Sequence, residues 1–214
     1  MMKINRKTLV LTSVITLLPM LAGLILWNRL PDTIATHFGP SGQADGWSSK
    51  PFAVFFFPLF LLGVNLLCIF ITSADPKRRN ISGKALGLVY WIAPLMSVII
   101  SILTYTTALG MELNVNLFVM LTMGLLFIAV GNYLPKSRQN YTVGIKIPWT
   151  LNDPDNWNKT HRFAGKLWMA GGVIILLNAF LNAVWLMVAI IFIMAFAPII
   201  YSYILYRRSL SEGK

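Results

Sequence analysis

The sequence predicts an all-α integral membrane protein, a six-transmembrane-helix bundle with both N- and C-termini cytoplasmic. Three observations predict it. Hydrophobic residues make up 57 % of the 214-residue chain and charged residues only 12 %, about half the charged share of an ordinary soluble domain. The apolar residues fall in runs long enough to cross a hydrocarbon core of roughly 30 Å as helix, and the mean hydropathy is +0.68. The basic residues are also partitioned. Threaded through six spans, all of them except Arg29 and Lys50 fall on the side of the N-terminus, the bias that places that side in the cytoplasm.

The spans are expected at Thr8–Trp27, Phe52–Thr72, Ala85–Leu109, Leu117–Tyr133, Gly165–Phe180 and Ala183–Tyr206. The first follows Lys3, Arg6 and Lys7, as a signal peptide would, but its apolar run continues through Leu24-Ile25-Leu26-Trp27 with no A-x-A site. It therefore reads as an uncleaved anchor. The second holds Cys68, the single cysteine, which excludes an internal disulfide and a thiolate metal cluster. Its Asn65 suits interhelical hydrogen bonding. At the start of the third, Gly83 and Gly87 form a small-xxx-small pair suited to close helix contact. Asn178 and Asn182 interrupt the last apolar stretch and predict a tight helical hairpin. Apart from Lys166 at the entry to the fifth, no ionisable residue other than cysteine and tyrosine lies inside these spans, which argues against a proton-coupled transporter. The net charge of +11 is accounted for by orientation and lipid headgroups, so direct nucleic-acid binding is not expected.

The chain divides on this reading into residues 1–72, a two-helix domain with an outer loop at 28–51; residues 73–116, a linking turn and third helix; and residues 117–214, with a cytoplasmic loop at 134–164 and helices four to six. The outer loop contains 36-THFGPSGQADGWSSK-50. His37, Asp32 and Asp45 are metal-capable residue types, but their irregular spacing is a poor ligand pattern, and no nucleophile elbow surrounds the serines. Neither metal nor cofactor is expected. Gly39, Gly42 and Gly46 with Pro40 predict a tightly turned, shaped cap.

In the cytoplasmic loop, Val143, Ile145 and Ile147 alternate with polar or small residues as a short strand would. Asp153, Pro154 and Asp155 then read as an N-cap, a first helical residue and a carboxylate at the positive helix end. Trp157, His161, Ala164 and Trp168 share one face of that helix. That face can serve at the membrane interface, with tryptophans at headgroup depth, or dock a cytoplasmic protein.

These motifs carry a resemblance. The segment 143-VGIKIPWTLNDPDNWNKTHRFAGK-166 resembles the sporulation-delay toxin immunity (SdpI) family of bacterial membrane proteins through Gly144, Ile145, Lys146, Pro148, Trp149, Thr150, Leu151, Trp157, His161, Arg162 and Phe163, with Asn132 and Asn140 upstream. Pro31, Ile34, His37, Phe38, Gly39, Gly42, Asp45, Trp47 and Lys50 are similar to the N-terminal domain that accompanies it. The resemblance implies a multi-pass protein of the bacterial cell membrane, without catalytic chemistry. It implies resistance to a secreted peptide toxin, met by the outer loop. It further implies signalling, by holding a cytoplasmic winged-helix repressor at the membrane through the 134–164 loop. The other readings of the chain are a sensor or scaffold of the same family with a different stimulus, and a small transporter.

Overall fold

The computed structural model describes residues 5–212; Lys3 and Lys214, part of the basic bias, lie outside them. Six helices are long and apolar enough to cross a membrane. They are α1 (Arg6–Ile25), α2 (Phe57–Ala74, entered through a π-helical turn at Phe52–Phe56), α3 (Gly83–Ala108), α4 (Val115–Tyr133), α6 (Pro154–Leu181) and α7 (Val184–Ser211). The short helix α5 (Pro148–Asn152) precedes α6. The six expected spans are all present, with ends mostly within two residues. Two ends depart further: α6 begins eleven residues before the expected Gly165, and so takes in the basic residues Lys159 and Arg162 besides Lys166, and α7 runs five residues past the expected Tyr206. Asp153 caps α6, accepting from the Asp155 N–H at 2.8 Å, and Pro154 occupies the first turn.

The α1–α2 connection is not an irregular cap. Strands β1 (Thr33–Phe38) and β2 (Ala44–Ser49) pair antiparallel, the one sheet among the described residues. Register shifts flank His37. The reverse error occurs at Val143–Ile147, where the alternating pattern forms no strand. Its backbone groups are taken by side chains, so no partner strand is needed.

By its contacts the chain forms two compact units, 5–70 with 87–118, and 71–86 with 119–212. In the first, Ile34 of the hairpin is fully buried with Leu30, Ala53, Val54 and Tyr105. Hydroxyl and amide groups tie its helices: Ser97 donates to the Thr16 carbonyl at 2.8 Å, Tyr105 to the Pro19 carbonyl at 3.0 Å, and Asn65 to the Tyr90 carbonyl at 3.1 Å. These bonds substitute for the hydrophobic driving force that helices lack in lipid.

In the second unit, α4 and α6 approach closely where glycines face each other. A Cβ on Gly172 would lie 2.7 Å from the Gly124 carbonyl oxygen, and one on Gly165 2.7 Å from that of Gly131. The expected pair Gly83 and Gly87 is not used this way; a Cβ on either would meet nothing from another part of the chain within 4 Å. The α6–α7 turn is the predicted one. Asn182 is left-handed at φ 54, its N–H returns to the Asn178 carbonyl, and the Asn178 amide donates to the Ala183 carbonyl at 2.8 Å.

Candidate functional site

The motif residues gather at two places, one in each unit. The first is the hairpin. His37 Nδ1 lies 2.5 Å from Asp45 Oδ1 across the strands, and both side chains are exposed. Lys50 bonds the Asp32 carboxylate at 3.1 Å and the Trp27 carbonyl at 3.3 Å, with its ammonium over the Trp27 ring. Thr36 and Ser48 hydroxyls meet at 2.9 Å on the other face. At the turn, Gly42 rests against Asn116, whose amide donates to the Pro40 carbonyl. Phe38 and Gly39 are half-buried beside it, and Trp47 projects outward, 61 % exposed. The charges thus pair within the hairpin or at its base.

The second place is the connection from α4 to α6, which is a knot of buried polar bonds. Trp157 is fully buried and donates its indole N–H to the Ser137 carbonyl at 2.8 Å. His161, 1 % exposed, stacks on it with ring centroids 4.0 Å apart. Its Nδ1 donates to the Trp157 carbonyl and its Nε2 accepts the Ile145 N–H at 2.9 Å. A ring nitrogen that accepts an N–H has no proton of its own, so this imidazole is neutral. Gly144 passes directly over both rings at φ +131, where a Cβ would collide with His161 Nε2. The interfacial reading of this helix face is therefore corrected: its tryptophan and histidine are covered by the chain's own loop.

Asn140, also buried, accepts the N–H groups of Thr142 and Val143 at 3.0 and 2.6 Å and donates to the Val143 carbonyl. The Thr150 hydroxyl donates to the Ile145 carbonyl at 2.8 Å and accepts the Ile147 N–H at 3.1 Å, closing the approach to α5. Gln139 caps α5 from below through the Thr150 and Leu151 carbonyls.

The α2–α3 turn completes the knot. Asp75, 2 % exposed, accepts the Tyr141 N–H at 2.9 Å and the Thr142 hydroxyl at 2.8 Å, while Oδ1 holds the Lys77 N–H at 2.7 Å. Lys77 and Asn80 reach Gln139 from the same turn. In the sequence Asp75 lies within what reads only as a linking turn, and Ser137 and Gln139 belong to no motif. The available sign was a lone carboxylate within a run of cations.

Not every motif residue joins the knot. Lys146 and Arg162 are exposed, Asn132 is exposed and accepts from Lys136, and Phe163 stacks on Tyr201 of α7. Pro148 and Trp149 instead line an open groove of about 810 Å³ between α5, the start of α6 and the end of α7. Trp149 packs against Tyr203 and Tyr206, and its indole N–H is buried with no hydrogen-bond partner among the described residues.

Residues 136–202, which hold most of this knot and the groove, match the SdpI/YfhL protein family, and residues 14–62, which hold the hairpin, match the domain of unknown function DUF1648. The chain is thus similar to the SdpI family at its C-terminal end and to that domain at its N-terminal end. It is 28 % identical over 194 residues, 89 % of this chain and 90 % of the relative, to the immunity protein SdpI of Bacillus subtilis (strain 168). No solved structure matches it. With six apolar spans and this similarity to a bacterial membrane immunity protein, it is a multi-pass protein of the bacterial cell membrane.

Proposed function

We propose that this protein is a membrane immunity protein of the SdpI type that gives resistance to a secreted peptide toxin. The observation that carries the reading is the similarity to an immunity protein over both of its parts, hairpin and knot, in the same order. The basic residues favour an arrangement with both termini in the cytoplasm. The hairpin, one crossing from the N-terminus, then faces outward, where a secreted peptide arrives. The 134–164 connection, four crossings on, faces the cytoplasm.

In the same reading the knot supports signalling, by holding a cytoplasmic winged-helix repressor at the membrane. Its rigid bonds present the groove beside Trp149 as a fixed docking surface. Asp153, Asp155 and Glu212 line that groove together with Lys159 and Arg208, and Lys159 pairs with Asp155 at 2.7 Å. The role asks for no catalytic step and no cofactor, only binding on each side of the membrane and direct contact with lipid.

Expression in a toxin-sensitive strain tests the immunity reading: survival against the cognate peptide should rise, and unchanged killing would sink it. Signalling is tested by fractionation. With toxin present the repressor should move to the membrane pellet, and Trp149→Ala should return it to the soluble fraction at an unchanged protein level.

A further inference from the structure

The hairpin has an unused edge. The Lys50 N–H bonds the Asp32 carbonyl at 2.8 Å, and the register pairs Thr33 with Ser49, Ile34 with Ser48 and Ala35 with Trp47. Bonded and non-bonded pairs alternate in an antiparallel ladder. Ser48 is therefore directed at β1, while the N–H and C=O of Trp47 and the N–H of Ser49 are directed away from it. Among the described residues no group bonds these three.

Such edges are usually blunted by lysine, proline or a covering element. Here β2 contains neither residue. The corresponding edge of β1 is less open, since Ala35 is half-buried and the register shifts at its next residue, whereas Trp47 and Ser49 are both exposed. The hairpin's ionisable side chains are already matched, His37 to Asp45 and Asp32 to Lys50. What remains on offer is main-chain hydrogen bonding beside an indole face, which complements an uncharged, extended peptide and neither a helix nor an ionic ligand.

We propose that the outer edge of β2 is a β-augmentation site, on which an uncharged extended peptide segment adds as a third strand, with one of its apolar side chains on Trp47. The inference deepens the reading of the hairpin as the toxin-facing surface and rests on it.

The test uses the full chain in lipid nanodiscs with a capped synthetic hexapeptide of alternating threonine and valine. A strand paired along one edge uses every second N–H. N-methylation of one alternate set should therefore abolish binding, and methylation of the other set should leave it intact. The parent peptide should shift the amide signals of Trp47 and Ser49. Trp47→Pro, which removes only an outward N–H, should lose binding while the Ile34 and Ser48 amides stay in place; Trp47→Ala should still bind.

The proposal is overturned by absence of binding at millimolar peptide, by equal binding of both methylated forms, or by binding in a folded Trp47→Pro variant. If Trp47→Pro disturbs the hairpin itself, the methylated pair decides. Survival under toxin reports separately: protection that persists after peptide pairing is lost leaves the edge standing and removes it as the toxin's contact.

Discussion

His161 joins the two halves of the knot through one neutral ring. Replacing it with alanine empties a buried site and orphans the Ile145 N–H, and should cost about 3 kcal/mol. Gly144 is as constrained from the other side. Gly144→Ala adds a methyl against His161 and Trp157 at a φ that only glycine adopts readily, for roughly 2 kcal/mol or more of lost stability. Thermal unfolding in detergent should show both as a lower Tm, and a variant with wild-type Tm would contradict the assignment. The i, i+4 spacing of Trp157 and His161 was legible in the sequence as a shared helix face. What covers that face was not, because helical periodicity identifies an apolar stripe without distinguishing lipid from a loop folded back on it.

At the scale of elements, side-chain bonds decided what pattern alone could not. Val143–Ile147 has the alternation of a strand, yet Asn140, Thr150 and His161 satisfy its backbone one group at a time. Thr33–Phe38, where the strand does form, was masked by the turn residues that follow it. Asp75 binds the α2–α3 turn to the knot. Asp75→Asn keeps the shape but sets an amide donor against an N–H or O–H donor, which should cost roughly 2 kcal/mol. Hydrogen exchange at Tyr141 and Thr142 should accelerate while that of α1 stays unchanged; an unaltered rate at both would rule out the tether. The π turn before α2 had no warning in the sequence. Residues 52–56 are apolar and aromatic, and nothing in that composition separates a π turn from an α turn.

At the scale of the molecule, six spans and the hairpin of the last two were readable because hydrocarbon thickness and backbone satisfaction leave few alternatives. The division into compact units was not readable, since its boundaries cut through α2, α3 and α4 rather than falling in loops. Orientation rests on charge and is directly testable. A reporter inserted after Leu151 should behave as cytoplasmic and one after Gly42 as external; the opposite pair of signals would invert the proposed roles of the two surfaces. Asp75 carries a consequence for dissecting the chain. A fragment beginning at the fourth span would contain the whole stretch of family similarity at 136–202, and by sequence alone would look self-contained. It would nevertheless lack the carboxylate that receives Tyr141 and Thr142, and the lysine and asparagine that hold Gln139. Supplying residues 71–86 on a separate polypeptide should restore protease resistance to the 134–164 segment, which makes the α2–α3 turn a detachable keystone and a practical handle for building a split, inducible form of the protein.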